Sequence, residues 1–278
     1  MHLIGYDRAI DSMLPVPGAI EAKPGAREAA SLSIRLLEAG SEPPSEPLYR
    51  LDGQILRFAP PGVGSYRCSR DEIAIAPEAA ADMRNVTALL LATALPAAMW
   101  MSGATILHAA AVRLPGQDNA LAFAGPSGIG KSTLAAGLVE RGADLIGDDT
   151  LCIRARDGAP LASGLPGGWF AARPGSPLRH FHSSRSTVRR CPLGAIVILS
   201  EKALPGPPER LPPVAAIEQL LANRHRPRIP RLLGIEAAVL QFCSFLAHRV
   251  PLYILQRAPE PRAIEQWALD GPASSAGE

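Results

Sequence analysis

GPSGIGKST, residues 125–133, decides how this chain is read. Its spacing is G-x-x-x-x-G-K-S, the pattern of a loop whose backbone N–H groups wrap phosphate oxygens. Glycines let the main chain turn tightly and come close to an anion. ALAFAG (120–125) reads as a buried strand running into the loop, and KSTLAAGLVERG (131–142) as the helix leaving it, ending at Gly142. That helix presents free N–H groups and a favourable dipole to the phosphates. The nucleotide-binding residues expected are therefore Gly125, Pro126, Ser127, Gly128, Ile129, Gly130, Lys131, Ser132 and Thr133. Lys131 would contact the β- and γ-phosphates of ATP, and the Ser132 hydroxyl would ligate Mg²⁺.

The next apolar strand, ADLIG (143–147), stops at Asp148 and Asp149. A carboxylate at that strand end can face the loop and hold Mg²⁺, and a second can accept the proton of an attacking hydroxyl. Aspartate also favours turns, so DDT reads alternatively as a hairpin between ADLIG and TLCIRA (150–155), which is expected to pair on as a further strand. Upstream, ATILHAAAVRL (104–114) reads as one strand carrying His108 beside the loop's own strand. A lone histidine there is either a satisfied core residue or a group near the aspartates that orients a carboxylate or touches phosphate.

Around this unit, residues 1–47 are rich in proline, glycine and glutamate, with SEPPSEP (41–47) as a breaker and ASLSIRLLE (30–38) as a candidate strand. QILRFA, SYRCS and DEIAIA (54–76) form an antiparallel meander separated by turn residues. A helix is expected over 77–101, loop from 156 to 175, a buried strand over 191–201, helices over 214–225 and 234–250, a strand over 251–257 and a last helix over 261–269. The expected organisation is an N-terminal, mostly β region (1–76), a phosphate-loop domain (77–270) and a disordered tail (271–278).

The 278 residues carry a net charge of +2, which gives no global attraction to nucleic acid or an anionic membrane. The uncharged run 86–112 is long enough to span a bilayer, but Pro96 and Gly103 divide it, and it reads as a buried helix followed by a buried strand. Cys68, Cys152, Cys191 and Cys243 form no C-x-x-C pair, which argues against a cysteine zinc site or a disulfide framework and for a reduced, cytoplasmic setting. MHLIGYDRAIDSML carries charges where an export signal needs an apolar core. Lysine stands only at Lys23, Lys131 and Lys202, so one of three occupies the phosphate-loop position. Two arginine groups, Arg179/Arg185/Arg189/Arg190 and Arg224/Arg226/Arg228/Arg231, are either phosphate or acidic-peptide clamps or a solvated surface. Substrate contacts are expected between residues 158 and 186.

His108, GPSGIGKST and LVERGADLIGDD (138–149) together resemble the core of the HPr kinase/phosphorylase family, bacterial serine kinases with a phosphate loop and a fold related to phosphoenolpyruvate carboxykinase. CPLGAIVILSE, IEQLLANRH and FLAHRVPLYILQR extend the resemblance toward the shorter kinases that phosphorylate the C-terminal serine of lasso-peptide precursors. The resemblance implies Lys131 at the transferring phosphoryl group, Ser132 and Asp148 in the metal shell, one aspartate of the pair, preferably Asp149, as base, and His108 as the active-site histidine. It also implies ATP and Mg²⁺ as cofactors, a peptide or protein substrate and a homo-oligomer. No counterpart of the family's E-I-R-G-x-G-I segment or of its C-terminal arginine-glycine signature is found, which points away from phosphorolysis and from HPr as the acceptor. Two other readings stay open: a nucleotide-binding regulatory or scaffold protein without transfer, and a small-molecule kinase.

Overall fold

Alternating apolar residues write the first sheet in the computed structural model, which describes residues 1–22, 31–41, 49–172, 179–201, 206–256 and 260–270. Strands Arg50–Asp52, Ile55–Phe58, Gly64–Cys68 and Glu72–Pro77 pair in turn, antiparallel. Their inward residues, Leu56, Phe58, Tyr66, Cys68, Ile73 and Ile75, are buried, and the Phe58 and Tyr66 rings stack at 4.6 Å. The sheet then departs from the expected meander. Ser31–Leu36 adds in parallel to Glu72–Pro77, and Arg8–Ser12 adds in parallel to Ser31–Leu36. His2–Gly5 and Ile20–Glu21 complete eight strands on that side. Parallel neighbours are joined by crossovers instead of tight turns, so they leave no hairpin signal in the text. The expected tail, residues 271–278, lies outside the described residues.

The expected helix over 77–101 begins later, at Met83. Pro77 still belongs to strand Glu72–Pro77, and Asp82 caps the helix by accepting from Arg84 N at 2.9 Å. The helix Met83–Leu89 widens to a π-turn over Leu90–Ala94 and resumes as Leu95–Met101. Pro96 explains the widening: it has no N–H to give to the carbonyl of Ala92, four residues back. Arg226 Nε donates to that carbonyl instead, at 2.9 Å. Among the described residues no helix is long and apolar enough to cross a membrane.

ATILHAAAVRL is two strands, not one. Thr105–Leu107 pairs with Leu151–Arg156, whereas Ala109–Arg113 pairs with Ala120–Ala124 and Asp144–Gly147. His108 stands at the break. ADLIG and TLCIRA likewise do not pair. Asp149 adopts a left-handed φ of 67°, which swings the chain away, and the two strands join different neighbours. The expected loop from 156 to 175 is not all loop: Ala159–Ser163 pairs with Leu151–Arg156 and with the start of Cys191–Ser200, Gly168–Ala172 pairs antiparallel with Arg179–Ser183, and 173–175 lie outside the described residues.

The central strands Ala120–Ala124, Cys191–Ser200 and Leu252–Gln256 run parallel. They are covered on both faces, which is why they read as unbroken apolar runs. One face of this sheet carries Phe123, Val112 and Val197 against Leu134 and Leu138 of helix Lys131–Glu140 and Ile264 of helix Pro261–Asp270. The other carries Ala122, Ala124 and Ile198 into a core shared with Tyr6, Ile34 and Tyr66 of the first sheet, Trp100, and Leu246 of helix Glu236–Arg249. One continuous core therefore joins the N-terminal sheet to the loop-bearing sheet.

Candidate functional site

Strand Ala120–Ala124 delivers the chain into residues 125–130, and helix Lys131–Glu140 takes it out. At Gly125 a Cβ would lie 2.6 Å from the carbonyl oxygen of Leu199, so no side chain fits against the neighbouring strand. Gly130, at φ +107°, caps the helix with no side-chain hydrogen bond, so no side chain of the N-cap competes with an incoming anion for the first-turn N–H groups. Ile129 is buried and anchors the loop, whereas Pro126, Ser127 and Gly128 are exposed.

Lys131 is 5% exposed, and its ammonium donates to Gly125 O at 2.8 Å and Pro126 O at 2.9 Å. It also lies 3.0 Å from His108 Nε2. Nε2 must accept there, so Nδ1 carries the proton of a neutral ring. That Nδ1 stands 3.1 Å from the backbone oxygen of Asp149 and 3.3 Å from its carboxylate Oδ1. One residue into the helix, the Ser132 hydroxyl donates to Asp148 Oδ1 at 2.8 Å. Asp148 in turn accepts Thr150 N on its backbone oxygen at 2.8 Å. Lys131, Ser132, His108, Asp148 and Asp149 thus converge, although His108 and the aspartates are far from the loop along the chain.

The aspartate turn rests on the N-terminal hairpin. Tyr6 is buried beneath it, its N–H donating to Gly164 O at 2.7 Å, and its side chain is hydrogen-bonded to Thr150. Burial pushes the Tyr6 phenol pKa up, and the charges of Cys152 and Asp149 push the same way.

A further residue, His225, lies outside the expected site residues. Its N–H donates to Ile106 O at 2.9 Å, His108 N donates to Asn223 O at 2.8 Å, and Leu107 bridges Arg224, so residues 223–225 lie along the strand break at His108. Trp100 Nε1 donates to His225 O at 3.0 Å. The His225 ring faces the His108 ring, centroids 5.8 Å apart, and its Nε2 lies 3.8 Å from Asp149 Oδ2. Burial lowers its pKa to about 4, against the opposing pull of Asp149, so the imidazole is neutral at pH 7. Its only textual trace is one histidine inside the arginine-rich NRHRPRIPR (223–231).

Five of the eight arginines in the two groups have partners within the protein. Arg189 and Arg190 face Asp7 at 3.6 and 2.8 Å. Arg224 donates to Leu221 O and Arg226 to Ala92 O, and Arg231 pairs with Glu236 at 3.5 Å.

No family model and no curated protein matches the chain. Among solved structures it is similar to the HPr(Ser) kinase/phosphatase from Coxiella burnetii, at 17% identity and a TM-score of 0.39, over 59% of this chain and 94% of that one. The site's own geometry, not this likeness, carries the functional reading.

Proposed function

We propose that this chain is an ATP-dependent kinase that transfers the γ-phosphoryl group to a serine hydroxyl of a peptide or protein, with the C-terminal serine of a lasso-peptide precursor as the acceptor. The observation that carries it is the meeting of Ser132 and Asp148, 2.8 Å apart, at the head of the helix behind a glycine loop, with Asp149 beside them.

A hydroxyl and a carboxylate are the hard oxygen donors that Mg²⁺ takes alongside substrate phosphates, and an uncapped helix N-terminus suits those phosphates. The residues therefore fit Mg·ATP, and Ser132 and Asp148 would hold the ion. Mg²⁺ in that position would offset charge on the phosphoryl oxygens. The loop N–H groups orient the phosphates. Lys131, already surrounded by acceptors, would exchange its contact with His108 for the anionic phosphate oxygens. Asp149 accepts the proton of the serine hydroxyl as the Oγ–P bond forms and the bond to the departing nucleoside diphosphate breaks. His108 holds Asp149 through its Nδ1 side. The enzyme on this reading is cytoplasmic and homo-oligomeric, and acts on neither nucleic acid nor membrane.

Incubation with ATP, Mg²⁺ and a serine-terminated precursor peptide, followed by mass spectrometry, tests it. One added phosphate on the terminal serine is expected. ATP binding with no phosphorylated peptide favours a regulatory protein, and phosphorylation of small hydroxylated metabolites alone favours a small-molecule kinase.

A further inference from the structure

We propose that His108, Asp149 and His225 form a binding site for one divalent transition-metal ion, separate from the oxygen-only pair of Ser132 and Asp148. Each of the three offers one ligand atom, and all three atoms lie within 4.8 Å of one another. His108 Nδ1 is 3.3 Å from Asp149 Oδ1, and His225 Nε2 is 3.8 Å from Asp149 Oδ2. Bonds of about 2.0–2.1 Å to a shared ion put neighbouring ligands about 3.0–3.4 Å apart. The first pair already has that spacing; the second involves the other carboxylate oxygen, so a shared ion requires Asp149 to turn or to bind through both oxygens. The Asp149 side chain is 41% exposed, so it has room to shift and leaves an entry path from solvent.

His225 supplies the independent observation. Its side chain is 9% exposed, and Nδ1 is enclosed with no partner among the described residues. Nε2 points at Asp149 across 3.8 Å, beyond hydrogen-bond reach. The enclosed Nδ1 carries the desolvation cost of the ring, and Nε2 is the nitrogen turned toward the Asp149 carboxylate. An ion between Nε2 and Asp149 would bind the ring nitrogen that faces the carboxylate. Backbone bonds to Ile106 and from Trp100 fix where the ring stands, and burial keeps it neutral, with a lone pair to give.

Two imidazoles and one carboxylate select Zn²⁺ and its first-row neighbours over Mg²⁺ or Ca²⁺, which prefer oxygen alone. When His108 Nδ1 binds the ion, its proton moves to Nε2, and the Lys131 ammonium loses that acceptor while keeping Gly125 O and Pro126 O. An ion on Asp149 also blocks that carboxylate from accepting a proton.

The site rests on side-chain geometry, and its test uses the metal alone. The full chain, purified with chelator and held in excess Mg²⁺ without ATP, is titrated calorimetrically with Zn²⁺ and by visible absorption with Co²⁺. One Zn²⁺ per chain is expected, with a Co²⁺ band of mixed nitrogen and oxygen ligation. His225→Ala and Asp149→Asn are each expected to weaken binding at least tenfold, and Ser132→Ala to leave it unchanged. Absence of binding to the natural chain overturns the site. So does equal affinity in His225→Ala and Asp149→Asn, which would mark adventitious histidines elsewhere. Should His225→Ala unfold, Asp149→Asn, altering a more exposed side chain, decides alone. Failure of peptide phosphorylation leaves these outcomes untouched.

Discussion

Lys131 Nζ sits 3.0 Å from His108 Nε2, with the carbonyl oxygens of Gly125 and Pro126 at 2.8 and 2.9 Å. All three ammonium hydrogens therefore have acceptors, and the loop is held closed on its own lysine. A nucleotide must outbid a neutral imidazole for one of those hydrogens, which anionic phosphate oxygens do through charge-assisted bonds. Lys131→Ala is expected to weaken ATP binding at least tenfold, measured by isothermal titration, and to reduce turnover further. Unchanged ATP affinity in that variant would mean that the loop does not hold phosphate through this side chain.

Asp149 combines exposure to solvent with a histidine contact on its carboxylate. On the kinase reading, Asp149→Asn keeps the nucleotide site, since neither Ser132 nor the loop is altered, but has no lone pair basic enough for the serine proton. Transfer is expected to fall by about 10²–10⁴-fold, with ATP affinity within a few-fold of the natural chain. Single-turnover assays with quantified phosphopeptide read both. Undiminished transfer assigns the proton to another group.

What the text discloses about this site is what lies close together in the chain. The run from Ala120 to Glu140 keeps strand, glycine turn and helix contiguous, and Asp148–Asp149 close an apolar strand, so each leaves a local pattern. The break at His108 leaves none, because ATILHAAAVRL (104–114) reads alike whether it forms one strand or two. His225 reaches His108 through backbone bonds between residues 106–108 and 223–225, a pairing set by the whole sheet. The parallel strands Arg8–Ser12 and Ser31–Leu36 are equally non-local, and they carry Tyr6 under the aspartate turn without any signal in its own neighbourhood.

Tyr6 yields a prediction about that hidden support. It is 2% exposed, in a left-handed turn at φ 55°, and bonds through its backbone to Gly164 and through its side chain to Thr150. Removing the ring opens a cavity beside Thr150, the residue that follows Asp149. Tyr6→Ala is expected to lower stability by about 3–5 kcal/mol, read from urea unfolding, whereas Tyr6→Phe keeps the volume and costs about 1 kcal/mol. Phosphoryl transfer at temperatures where the variant remains folded is expected to drop in Tyr6→Ala more than in Tyr6→Phe, since only the first frees the turn to move.

His225 makes stability depend on pH. Folded, its pKa is about 4; unfolded, it returns to the ordinary histidine value of 6.5. Between these values the unfolded chain binds a proton that the folded chain refuses, so stability rises with pH there. The full contribution is present above about pH 6.5, is lost as pH falls, and is gone below about pH 4. At about 1.4 kcal/mol per unit, the shift amounts to about 3 kcal/mol across the window. Urea midpoints of the metal-free chain are expected to fall steadily from pH 7 to pH 5, before most carboxylates titrate. His225→Gln, which has no proton to gain, should lose most of that slope while keeping a buried amide in the same position. A slope identical in the two proteins would mean that the imidazole protonates as readily in the folded chain as in the unfolded one, and that the enclosure around His225 is looser than its burial implies.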